Sequence, residues 1–199
     1  MARCYSACVR HRYPPRELPK IWLISDERID ARLEAALDRL PRGSGFIFRH
    51  YHLADADRLA RFRTLAAHAA RRAHLVVIST SVAQAQRWGA LGAYGAPRRL
   101  ARGPAAIRLV TAHSLKEIGT ANLLRADAVL LSPVFATDTH PGARALGSLR
   151  FRLLAARARV PVIALGGMTA RRAQRIGAQR WAAIASLAQP RRQTFPIHS

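Results

Sequence analysis

Within "SPVFATDTHPGARALG" (132–147), two hydroxyls (Thr137, Thr139), a carboxylate (Asp138) and an imidazole (His140) precede a flexible PGARALG. A mobile polar segment of this kind suits closure over a small ligand. Upstream, "VTAHS" spaces Thr111 and His113 two apart, and imidazole is the side chain able to pass protons near neutral pH. "FRHYH" holds Arg49, a group suited to clamping an anion. "LGGMTARR" carries Gly166 and Gly167, which let backbone N–H groups approach a ligand closely. A helix starting near Thr169 directs its positive end to the same place. These types and spacings describe phosphate binding beside one proton-transfer group. Each also has a structural alternative: Arg49 as a surface residue at a strand end, His113 as a hydrogen-bonded rim histidine.

The elements that must position these groups alternate along the chain. Apolar runs occur at 20–26, 45–51, 74–80, 90–96, 107–113, 127–135, 161–168 and 180–186. Between them lie stretches such as "DARLEAALDRL" and "DADRLARFRTLAAHAARRA", whose apolar residues recur at the helical period. Asp55, Ser114 and Thr169 stand where N-caps belong. Eight such units imply a parallel sheet closed as a single small α/β (β/α)8 TIM barrel, with reduced helices after strands 3, 4 and 8. The expected organisation is a basic N-terminal arm at 1–19, the barrel at 20–188 and a C-terminal tail at 189–199. In such a barrel the strand ends carry the site, and a diglycine after strand seven with a turn after strand eight is the usual phosphate position. Strand alternation puts Arg49 and Tyr51 on the face of Ile47, toward the lumen, and His50 and His52 on the other.

Composition narrows the classes. The 199 residues are 50% hydrophobic and 22% charged, a globular balance. No run approaches a membrane span, and the start lacks the apolar core of a secretory signal, so the expected address is the cytoplasm. Cys4 and Cys8 are the only cysteines, which excludes a disulfide scaffold; with His11 they make at most a partial metal site on the arm. Net charge is +22, yet all but Lys20 and Lys116 of the 33 basic residues are Arg, scattered through the helices. That scatter argues against a nucleic-acid face and for affinity toward small anions. The eleven acids leave 58–116 and everything after Asp138 without a carboxylate.

The segment from "VTAHSLKEIGTANLLRADAVLLSPVFATDTHPGARALG" through "VPVIALGGMTARRAQRIGA" and "AAIASLA" resembles the thiamine phosphate synthase and thiazole tautomerase (TenI-like) family. The resemblance is strong over about 107–187, weaker over 20–60 and poor across 74–106. It implies a thiamine biosynthesis transferase that joins a pyrimidine methyl diphosphate to a thiazole phosphate with Mg²⁺. It places the thiazole phosphate on Thr137, Thr139, Gly166, Gly167 and the Ile184–Ala185–Ser186 turn. Thr111 matches the small hydroxyl ending strand five, and Arg49 the arginine that helps hold the diphosphate. The departures fall together. The strand-two lysine is Tyr51, the Asn-Asp pair is replaced around Ser79 and Thr80, the acid after strand four has no counterpart, and the loop lysine is His140. The diphosphate and magnesium site is therefore degraded, with Arg98 and Arg99 available to offset charge. The tautomerase branch needs no metal: there His113 moves a proton, and Arg49 or Arg144 lies near the substrate carboxylate. Outside both branches stand a non-catalytic phosphate-ligand binder and, as the rival of another class, a nucleic-acid binder. Mg²⁺ is expected only with synthase activity, and family members often associate, which admits a homo-oligomer.

Overall fold

The computed structural model describes residues 17–137, 142 and 144–189. All eight apolar runs become short strands: β1 (Ile21–Ile24), β2 (Gly45–Phe48), β3 (Leu75–Ile78), β4 (Gly92–Gly95), β5 (Ile107–Ala112), β6 (Ala128–Leu131), β7 (Val162–Ala164) and β8 (Trp181–Ala183). They are parallel and closed, in chain order, with β8 returning to β1 through Leu23↔Ala183. Both strand faces are covered, which is why the runs read as continuous apolar segments rather than alternating ones. Trp22, Ile24, Ile47, Val77, Leu109, Leu130 and Ile163 fill the barrel. Leu23, Phe46, Phe48, Ile78, Val110 and Leu131 point outward into the layer beneath the helices.

The helical stretches form α1 (Leu33–Arg39, after a 3₁₀ turn at Glu27–Arg32), α2 (Asp55–Arg71), α3 (Val82–Arg87) and α4 (Pro97–Leu100). They continue as α5 (Leu115–Leu123), α6 (Gly147–Ala155), α7 (Ala170–Ile176) and α8 (Ala185–Ala188), so the reduced helices after strands 3, 4 and 8 are present. Ser114 caps α5 by accepting from the Glu117 N–H at 3.3 Å, and Thr169 caps α7 from Arg172 at 3.2 Å. Asp55 does not cap. It is the first residue of α2 behind Ala54, where its carboxylate still favours the positive helix end. None of the described helices is long and apolar enough to cross a membrane.

The base of the barrel is plugged by Trp22, whose ring lies where a Cβ on Gly45 would come within 2.1 Å. The Trp22 indole N–H donates to the Pro19 carbonyl at 2.8 Å, and Leu18 packs on the interior cluster. Residues 17–19, the end of the expected arm, thus cover the base. Cys4, Cys8 and His11, with the rest of the arm to residue 16 and the tail from 190, lie outside the described residues.

Strand β2 stops at Phe48, short of the expected run to 51. His50 adopts φ +31°, which breaks the extended backbone. The faces nonetheless come out as strand alternation expects: Arg49 and Tyr51 reach the barrel mouth while His50 is buried.

Candidate active site

A cavity of about 900 Å³ opens over the C-terminal ends of the strands. Its floor follows from strand parity. Arg49, Ser79, Thr111, Ser132, Leu165 and Ile184 each stand two residues beyond an interior side chain, and all six line the cavity.

One wall is backbone. Gly166 and Gly167 have φ +96° and +58°. A Cβ on Gly166 would lie 2.7 Å from the Pro133 Cα, and one on Gly167 would lie 2.4 Å from the Ala136 carbonyl oxygen. Only glycine fits, because the segment after β6 runs directly against them. The Val134 N–H donates to the Leu165 carbonyl at 2.8 Å, and the Phe135 N–H to the Gly166 carbonyl at 3.1 Å. Neither glycine N–H has an acceptor among the described residues, so both remain available to an anion. Thr137 and the Ile184–Ala185–Ser186 turn border the same space, and the Ser186 hydroxyl is held by the Met168 carbonyl at 2.7 Å. Thr139, Asp138 and His140 lie outside the described residues. Arg144 is exposed and does not line the cavity.

His113 stands at the rim. Its Nδ1 lies 2.7 Å from the Ser132 carbonyl, an acceptor only, so Nδ1 carries the proton and a neutral ring presents Nε2 as base. Glu117, close by in sequence, is committed elsewhere. Its carboxylate accepts from the His113 backbone N–H and the Ser114 hydroxyl at the start of α5.

The rest of the lining is cationic. Arg49 and Arg99, after β2 and β4, stand three strands from the glycines, Arg28 and Arg32 follow β1 beside β8, and Arg172 lies on the glycine side over the Phe135 ring at 5.0 Å. Arg28 is paired with Asp26 at 2.6 Å, and that bond is the main cause holding Asp26 below the usual carboxylate range. The Tyr51 ring is flanked by the Arg49 and Arg58 guanidiniums, each 5.6 Å from its centroid, and its hydroxyl bonds Ser79. The Tyr94 hydroxyl is pushed up to about 12 by burial, so it stays a neutral donor. Thr80 is turned away from the cavity, its hydroxyl donating to the Gln84 amide oxygen at 2.9 Å. Arg98 likewise stays outside, whereas Arg99 enters.

No carboxylate lines the cavity among the described residues. Three acids of the first half are engaged beside it: Asp26 with Arg28, and Asp30 and Glu34 with Arg61. Among the described residues no cluster of three acidic, histidine or cysteine side chains could hold a metal ion.

Sequence reasoning missed Arg28, Arg32, Arg172, Ser132 and Tyr94. The spacing of Arg28 and Arg32, four apart just after β1, was the available signal for two of them.

A family model described as thiamine monophosphate synthase matches residues 21–188. A curated relative from Aquifex aeolicus (strain VF5), named "Putative thiamine-phosphate synthase 2", is 39% identical over 59 residues. That stretch is 30% of this chain and 32% of the relative. Among solved structures, a thiamine phosphate pyrophosphorylase from Pyrococcus furiosus superposes with TM-score 0.73 at 22% identity, covering 86% of this chain and 88% of that one. A thiamine phosphate pyrophosphorylase from Bacteroides thetaiotaomicron gives TM-score 0.58 at 15% identity, covering 85% and 84%. At these identities the structural likeness shows the barrel fold.

Proposed function

The chain belongs to the thiamine monophosphate synthase family, and from that premise we propose that it joins a pyrimidine methyl diphosphate to a thiazole phosphate, using arginine where relatives of the fold would use magnesium. One observation carries this reading: a single cavity has a glycine cradle after β7, arginines after β2 and β4, three strands away on either side, and no described carboxylate among its lining residues. Two anionic groups at opposite ends of one substrate pair fit that layout.

The thiazole phosphate sits on the Gly166 and Gly167 N–H groups, Thr137 and the Ile184–Ser186 turn; the family resemblance alone adds Thr139, which lies outside the described residues. Arg172 adds a fixed charge there. The diphosphate faces Arg49 and Arg99, with Arg28 and Arg32, after β1, between it and the β8 turn. In the reaction the methylene C–O bond of the pyrimidine breaks and pyrophosphate departs with the electron pair. The thiazole nitrogen then bonds to the methylene carbon. Preorganised guanidiniums stabilise the charge that develops on the departing diphosphate. Thr111 offers a hydroxyl at the floor, and Tyr94 a neutral phenol.

The magnesium ion that the resemblance implies does not fit the described donors. Mg²⁺ is held by oxygen ligands that usually include one or two carboxylates; none lines the cavity among the described residues, and Asp26, Asp30 and Glu34 are paired with Arg28 and Arg61. No step is routed through it. Phosphorylated small molecules are the partners this site suits, and a cytoplasmic setting follows from that chemistry.

His113 supports a second reading, the thiazole tautomerase. With Nδ1 tied to the Ser132 carbonyl, Nε2 is placed to move a proton on a thiazole carboxylate phosphate, with Arg49 near the carboxylate. A parallel assay separates the two. Purified protein is given pyrimidine methyl diphosphate and thiazole phosphate, or the thiazole carboxylate phosphate alone. Thiamine phosphate formed in the first arm supports the synthase. Isomerised product in the second arm alone transfers the assignment to the tautomerase.

A further inference from the structure

Arg49 follows the last residue of β2, where the strand ladder no longer holds the chain. Its peptide groups are nevertheless fixed on both sides. The Arg49 N–H donates to Ser25 Oγ at 2.7 Å. Its carbonyl accepts from Arg58 Nε at 3.2 Å and Nη2 at 2.9 Å. Ser25 in turn meets His50 Nδ1 at 2.8 Å, and His50 Nε2 meets Asp30 Oδ1 at 2.7 Å. Arg61 Nε anchors Asp30 at 2.9 Å and pairs with Glu34 as well.

The direction of each bond follows from its ends. An ionised Asp30 only accepts, so His50 carries its proton on Nε2 and leaves Nδ1 bare. The Ser25 hydroxyl donates to Nδ1, and its lone pairs are then free to accept the Arg49 N–H. Ser25 and His50 are 0% and 1% exposed, so water cannot replace a lost partner. The ring of His50 stacks on Phe48 at 4.7 Å with the planes 5° apart. Its φ of +31° is one that non-glycine residues seldom adopt, and the surroundings must hold it. That turn sends His50 inward and leaves Arg49 and Tyr51 on the cavity side.

We propose that Ser25, His50 and Asp30 are positioning residues, a buried hydrogen-bond relay that fixes the Arg49 backbone so that its guanidinium meets the second anionic group of the substrate. The order Asp–His–Ser resembles a hydrolytic triad, but Ser25 is fully buried and its oxygen is already engaged by His50 and Arg49. Its chemistry is therefore alignment, and a small misplacement of such a clamp is costly. The proposal rests on the arginine reading of the diphosphate site given above.

The test uses the full chain saturated with thiazole phosphate and titrated with pyrophosphate by calorimetry. Arg49→Ala, Ser25→Ala, His50→Gln and Asp30→Asn are compared with the wild type. Ser25→Ala and His50→Gln are expected to weaken pyrophosphate about tenfold while thiazole phosphate binds as before. His50→Asn restores part of the loss, because Asn tolerates the left-handed backbone and offers an oxygen near the Nδ1 position. Should Ser25→Ala not fold, Asp30→Asn, of equal size at the far end of the relay, decides the matter. Wild-type pyrophosphate affinity in folded Ser25→Ala and His50→Gln, with Arg49→Ala weakened, overturns the relay. Equal loss of both ligands also overturns it, since that is general destabilisation. An unchanged Arg49→Ala would instead refute the arginine reading beneath it.

Discussion

Replacing Gly167 tests the cradle most directly, because two variants separate shape from charge. At φ +58° any side chain pays for a left-handed backbone, roughly 1–2 kcal/mol. The new Cβ would meet the Ala136 carbonyl oxygen at 2.4 Å and the Phe135 Cβ at 3.0 Å. Relief requires the segment after β6 to retreat by several tenths of an ångström, and that segment carries Thr137. Gly167→Ala is therefore expected to lower the melting temperature and weaken thiazole phosphate. Gly167→Asp adds a carboxylate beside the bound phosphate. Two unit charges about 4 Å apart at an effective dielectric near 20 repel by about 4 kcal/mol. Nearly three decades of affinity follow, beyond the loss in the alanine variant. Calorimetric titration of both variants with thiazole phosphate, alongside thermal melts, measures each part. A folded Gly167→Asp protein that binds thiazole phosphate like the wild type refutes the placement of the cradle on β7.

His113→Ala should abolish isomerase turnover by at least about a hundredfold while thiazole phosphate affinity measured by calorimetry changes little; full turnover in the mutant removes the proton-transfer role. Synthase activity should be indifferent to EDTA, since the described donors do not suit Mg²⁺, and strong restoration by added Mg²⁺ would overturn the arginine reading. Stability should fall as pH drops from about 7 toward 5. Burial pushes both His50 and His74 below the usual imidazole range. The unfolded chain then takes up protons first as pH passes below about 6.5, and stability is lost until the folded-state values are reached. Melts at stepped pH check this, and a flatter dependence is expected in His74→Gln, whose amide can still donate to the Leu37 carbonyl that His74 Nε2 contacts at 2.9 Å. A melting temperature that stays level or rises on acidification contradicts it.

The barrel was legible because its signals are local. A buried parallel strand shows itself as a short apolar run, and a covering helix as a three-and-four periodicity, without knowledge of any partner. The eight runs and the short helices after β3, β4 and β8 follow from that. Strand parity is equally local, and it placed Arg49, Thr111 and His113 at the mouth. The diglycine carried its meaning through an absent side chain, and the structure supplies the reason in the approach of Pro133 and Ala136.

The fate of the charged groups was not legible, because pairing joins residues far apart in the chain. Asp30 meets His50 twenty residues on and Arg61 thirty-one residues on, and Glu34 is committed to Arg61. Composition says only which stretches lack acids; folding engaged these two beside the cavity. The reverse happened to Arg28, Arg32 and Arg172, three unremarked members of an arginine-rich chain that closure of the barrel set around one space. The turn at His50 has no sequence signature either, since it depends on Ser25, Phe48 and Asp30 gripping one ring. By itself the sequence determined the alternation of strands and helices and the residues at the strand ends. Only the tertiary structure decided which charges face the cavity and which cancel one another, because electrostatic partners are set by distance in space.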